Sequence, residues 1–186
     1  SLLIICSDAP SGPSLRQMIE KKRRSQGQPL SYKGASNIIE QVGAGLAALH
    51  GVRAHGLLCP ELIEIDASGN ARVVGLALSA LVPPTTLAWT YPESAGCMAP
   101  ERRVGGPATA AADVYALGAV FYTCVTGRPT PLDGTADPGY IPASQLYREL
   151  PGMLDDVLGC CLAADPALRF QDPLALTEAL AMATTG

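Results

Sequence analysis

A chain of 186 residues fits one domain and is long enough to bury a real core. Its 48% apolar content, 16% charged content and net charge of −4 argue mildly against a nucleic-acid surface. No apolar run is long enough to cross a bilayer, so direct membrane insertion is not expected.

The N-terminus lacks the basic segment, long apolar run and cleavage site of a signal peptide, and the expected location is cytoplasmic. Six cysteines at 6, 59, 97, 124, 160 and 161 contain no C-x-x-C pair, and two are adjacent, which suits neither a zinc site nor an ordinary bridge. They read as small core residues in a reducing compartment. Zinc on Cys59 and His55 would need further ligands that the sequence does not supply.

In chain order, "SLLIIC" is a short strand-like run closed by the breaker-rich "SDAPSGPS". From Ser14, "SLRQMIEKKRR" predicts a short helix with Leu15, Met18 and Ile19 on one face, ended by "QGQP". Its "KKRR" suits the negative end of the helix dipole, with docking of anionic lipid or phosphate as the sharper alternative. Ser31 caps a long helix whose Ile38, Val42, Leu46 and Leu49 recur at three- and four-residue steps, one buried stripe. "HGLLCPE" follows, and then "LIEI" and "ARVVGL" flank the turn signal "DASGN", which predicts a hairpin.

Residues 79 to 98, rich in Pro, Ser and Thr, show neither periodicity and are expected to be irregular. "AAADVYALGAVFYTCVTG" is apolar nearly all round, the pattern of a helix buried at the middle of a domain. After a Pro- and Gly-rich loop to Pro142, helices resume in "MLDDVLGCCLAADP" and "PLALTEALAMA", the second capped by Asp172. There are no repeats and no linker, so residues 1–186 are expected to form a single domain, mainly α with a small β-hairpin.

The succession of H-x-x-L-x-P-E, hairpin, long loop, "CMAPE", "ADVYALGAVFYTCVTGRP" and "DPALRF" resembles the C-terminal lobe of a bacterial Hanks-type serine/threonine protein kinase. The likeness spans nearly the whole chain. It implies a protein-kinase C-lobe-like fold, with residues 1–6 matching the last strand of the upper lobe. No G-x-G-x-x-G loop and no V-A-I-K lysine occur, so the amino-terminal lobe is expected to be absent.

The resemblance also assigns structural roles. Glu101 and Arg169 match a buried ion pair that ties the activation segment's end to the late helices. Asp113 matches the aspartate that accepts backbone hydrogen bonds from the catalytic loop, and His55 matches the histidine beneath that loop. Gly118 and Arg128 fit the same pattern, and Glu61 holds the Pro-Glu position.

The chemistry departs from the pattern. In H-R-D-L-K-P-E-N the aspartate falls on Leu57, the lysine on Cys59 and the asparagine on Leu62, while the D-F-G aspartate falls on Gly75. Phosphoryl transfer needs those carboxylates and magnesium ligands, and magnesium needs hard oxygen donors. The expectation is therefore a degenerate, pseudokinase lobe: no enzyme, no catalytic or metal residues, no cofactor.

Core packing is the expectation for Leu58 and Leu76. Leu57 and Leu62 occupy positions that face the family's cleft and, together with the Leu2, Leu3, Ile4 and Ile5 strand, are expected to form an exposed apolar surface. A protein partner, or another domain of the same chain, would dock there, giving a scaffold or regulatory module. Two alternatives stand beside it. Thr85, Thr86, Thr90 and Ser94 lie where active kinases carry phosphosites, so a true kinase could modify the chain for a phosphothreonine reader. A nucleotide-binding remnant or divergent kinase is the other. The Ala, Arg, Gly and Pro bias, with only three lysines, points to a GC-rich bacterial genome.

Overall fold

The computed structural model describes residues 12–76 and 91–183. The expected strand of residues 1–6 and the candidate phosphosites Thr85, Thr86 and Thr90 lie outside them.

Helix α1 spans Leu15–Gln26. Ser14 caps it through a reciprocal pair in which its hydroxyl accepts from Gln17 N–H and the Gln17 side chain accepts from Ser14 N–H. Leu15 and Ile19 are buried, with Met18 packed beside the core. Helix α2, Tyr32–His50, is capped by Ser31 and buries Ile38, Ile39, Val42 and Leu46; Leu49 at the stripe's end is half-buried.

The hairpin is shorter than the apolar runs suggest. Strands β1, Ile63–Ile65, and β2, Ala71–Val73, pair antiparallel with Ile63 opposite Val73 and Ile65 opposite Ala71. Asp66 closes the turn by accepting from the backbone N–H groups of Ser68 and Asn70.

Part of the segment expected to be irregular is ordered: Pro92–Cys97 forms two turns of 3-10 helix, with proline at its start as the fixed φ favours. The four-residue α3, Pro100–Arg103, follows. Helix α4, Ala110–Thr126, is buried at every position from Ala111 to Thr126 and forms the axis of the molecule. Helix α2, the later helical segments Met153–Cys161 and Pro173–Ala183, and the 92–97 segment pack around it. The four-residue α5 is Ala143–Leu146, α6 is Met153–Cys161 and α7 is Pro173–Ala183. The Asp172 carboxylate accepts from Leu174 N–H at the start of α7.

Close approach sets the α4–α6 contact. A Cβ on Gly118 would stand 2.5 Å from Cys161 Cβ, so only glycine permits this spacing. Among the described cysteines, Cys59, Cys97, Cys124 and Cys161 are buried free thiols, while Cys160 is half-exposed with Sγ 3.2 Å from the Leu168 carbonyl.

Candidate functional site

The loop His55–Pro60 leaves the end of α2 and is held from below by one side chain. Asp113, fully buried on the first turn of α4, accepts from His55 N–H on Oδ2 and Gly56 N–H on Oδ1, each at 2.7 Å. Its Oδ2 also lies 2.8 Å from His50 Nε2, at the C-terminal end of α2. The fully buried His55 ring bonds the Val74 carbonyl through Nε2 at 3.1 Å, while Nδ1 takes the Leu57 N–H at 3.3 Å. These contacts assign the neutral tautomer with the proton on Nε2. Burial lowers the pKa of His55, against the opposing pull of the Val74 bond and the Asp113 charge.

Arg102 clamps the other side, reaching the Gly56 carbonyl at 3.4 Å through Nε and the Gly106 carbonyl through Nη1.

A second cluster joins three elements. Arg16 of α1 donates from Nε to Glu61 Oε1 at 2.9 Å and from Nη2 to Ser94 Oγ at 2.7 Å. Ser94 in turn donates to Glu61 Oε2 at 2.6 Å. Burial opposes ionisation of Glu61, but the bonds from Ser94 and Arg16 and the arginine's charge outweigh it, holding the carboxyl below the usual carboxylate range. Ser94 is only 6% exposed and fully engaged, so it is not an accessible phosphosite, contrary to the expectation for that residue.

Leu57 and Leu62 are also not where the sequence reading put them. They are 7% and 6% exposed, buried with Leu58 and Cys59, so they form no docking surface. With the loop anchored at Asp113, Leu57, Leu58 and Cys59 face a cavity of about 30 Å³ also lined by Tyr91, Met98 and Ala116, while Leu62 packs into the hydrophobic core. Leu76 is half-buried. Burial pushes the Cys59 thiol far up and that of Cys97 to about 12, so neither is a nucleophile near neutral pH.

Gly75 adopts φ +80°, a left-handed conformation that glycine enters freely and that, among residues with a side chain, asparagine and aspartate enter most readily. Among the described residues no three His, Cys, Asp or Glu side chains come together so as to hold a metal ion.

The remaining pair closes the site from the far end. Arg169 and Glu101 form a two-pronged ion pair at 2.7 and 2.9 Å, and the other guanidinium hydrogens go to the carbonyls of Ala111, Ala163 and Ala164. The guanidinium carbon sits 4.8 Å from the centroid of the Tyr115 ring. Burial raises the Glu101 pKa, but the Arg169 bonds and charge prevail and the net shift is downward.

The sequence reading named Asp113, His55, Glu101 and Arg169 and missed Arg16, His50 and Arg102. Arg16 and His50 act across separations of 45 and 63 residues, with no local spacing to betray them.

A hairpin, a buried axial helix and an aspartate-anchored loop, with the ion pair joining α3 to the chain before α7, define a protein-kinase C-terminal lobe. No family model matches the chain. Its curated relatives include the serine/threonine-protein kinase PknD of Mycobacterium tuberculosis, 34% identical over 172 residues, covering 86% of this chain and 25% of that protein. PknA of the same species is 29% identical over 184 residues, covering 95% and 42% respectively. PrkC of Bacillus subtilis is 37% identical over 109 residues, or 57% of this chain and 17% of that one. Among solved structures, a Mycobacterium tuberculosis PknI kinase domain superposes with a TM-score of 0.75 at 20% identity, covering 96% of this chain and 65% of that one. The chain is a relative of the bacterial Hanks-type serine/threonine kinases and corresponds to their C-terminal lobe. It spans between 17% and 42% of the length of these curated relatives.

Proposed function

We propose that this lobe is a pseudokinase module, which transfers no phosphate and serves protein–protein interaction as a scaffold or regulatory element. One observation carries the reading. The loop keeps its anchors at Asp113 and His55, while the positions that match the family's reactive groups hold Leu57, Cys59, Leu62 and Gly75, the first three buried in the core. The nearby carboxylates are engaged elsewhere: Glu61 by Arg16 and Ser94, and Asp113 by the His55 and Gly56 amides of the loop and by His50 of α2. Positioning and charge stabilisation supply nearly all of phosphoryl-transfer catalysis, so a loop without those groups has little left to catalyse with.

A thermal shift with ATP, with and without magnesium, tests the reading, together with radiolabel transfer from ATP to a generic basic acceptor protein. The expected outcome is an unchanged melting temperature and no transfer, because a ligand bound to the native state raises stability. A magnesium-dependent rise, or transfer abolished by a point substitution in the 55–62 loop, would overturn it.

A further inference from the structure

Of the chain's thirteen cationic side chains, seven have hydrogen-bond, ion-pair or other electrostatic partners within the fold, and an eighth, Arg128, acts on the Tyr122 hydroxyl. Arg128 and the remaining five, Lys21, Lys22, Arg23, Lys33 and Arg148, make no side-chain hydrogen bond or ion pair to the described residues. All six belong to one end of the molecule. The turn after α1 carries Pro29 and Leu30, and Leu30 N–H donates to the Cys124 carbonyl near the end of α4. A Cβ on Gly127, the residue before Arg128, would lie 3.8 Å from Pro29 Cβ. Tyr147 and Glu149, which flank Arg148, share a groove with Lys22 and Tyr32.

With Arg24 added and Glu20, Glu40, Glu149 and Asp155 subtracted, this end carries +3, which leaves −7 on the rest of a chain whose net charge is −4. Unpaired like charges gathered at one pole repel one another, and their arrangement makes sense against an anionic partner.

The groove narrows the choice of partner. About 250 Å³ in volume, it is of mixed character, with Leu30, Val125 and Leu150 set among the polar Lys22, Gln28 and Glu149. Its apolar surface is recessed: among the described residues, the large hydrophobic side chains that stand exposed (Val52, Val104, Leu132, Met153, Leu168, Leu174 and Met182) belong to other segments. A bilayer would meet the protruding cations and leave the groove unused. A nucleic acid would face the acidic remainder of the chain. A flexible peptide can enter the recess and present carboxylates to its rim. We infer that this end of the lobe binds an acidic peptide segment that seats one bulky apolar residue in the groove between the α1–α2 turn and the 147–150 turn. Glu149 is the like charge on that rim, and the surface is separate from the 55–62 loop, so the inference stands whether or not the lobe transfers phosphate.

The test uses fluorescence anisotropy with a fluorescein-labelled peptide of aspartate, glutamate and glycine bearing one central phenylalanine. Controls are the same peptide with alanine at that position and phosphatidylcholine vesicles containing phosphatidylserine. The expected result is binding that weakens about tenfold with alanine, about tenfold for the Lys21→Glu, Arg23→Glu double variant, and steeply as salt shortens the screening length below ~8 Å. These side chains are exposed, and an unchanged melting temperature will confirm the fold; should the variant melt, Lys21→Gln with Arg23→Gln replaces it. Equal affinity of the charge variant, equal affinity of the alanine peptide, or capture by the vesicles without binding of either peptide would each overturn the inference.

Discussion

Arg169 illustrates how a single residue is justified by its surroundings. Its five N–H groups meet a carboxylate and three backbone carbonyls, so Arg169→Ala strands the Glu101 carboxylate and three acceptors at once. We expect a loss of about 3–5 kcal/mol in chemical denaturation, the usual effect of breaking a buried pair by removing one partner. Arg169→Lys should recover little, because an ammonium cannot make the forked contact. Asp113→Ala leaves two buried backbone N–H groups without an acceptor and should cost about 2–6 kcal/mol by the same measurement. Both residues were legible in the sequence because their motifs are compact. The inward turn of Leu57 and Leu62 was not: a leucine on a loop reads equally well as cleft or core until the segment that packs over it is placed.

At the scale of elements, the start of α1 at Ser14, the cap at Ser31 and the all-round apolar pattern of α4 could be read from sequence alone, since each is a local signal. The 3-10 turns at 92–97 carry no periodicity, and their order comes from tertiary contacts such as Ser94 with Arg16 and Glu61. The α4–α6 spacing gives a sharper test. Gly118→Ala forces Cβ against Cys161 Cβ and should destabilise by about 1–3 kcal/mol, as overpacking does. Adding Cys161→Gly removes the atom in the way. The double variant is therefore expected to lose less than the sum of the two single losses, and simple additivity would show that the contact is not the cause.

For the whole molecule, three buried or half-buried groups shape the response to acid. Glu61 and Glu101 have folded-state pKa values below the ordinary carboxylate range. The stability they contribute is present above about pH 4.3 and is lost as pH falls through their lowered values. His55, shifted down as a base, acts in the same direction: below about pH 6.5 the unfolded chain takes up the proton first, so stability begins to decline there. The melting temperature should fall across this range, and Glu101→Gln should flatten its most acidic part. A slope equal to the parent's below about pH 4.3 would show that Glu101 is not a source of the effect.

The Asp113 carboxylate has a consequence for solvent access. Because its two oxygens hold the amides of His55 and Gly56 inside the core, those protons cannot exchange with deuterium by a local flutter of the chain. Although they belong to no helix or strand, they should stay protected for as long as the middle of α4 does, and exchange only when the molecule opens globally.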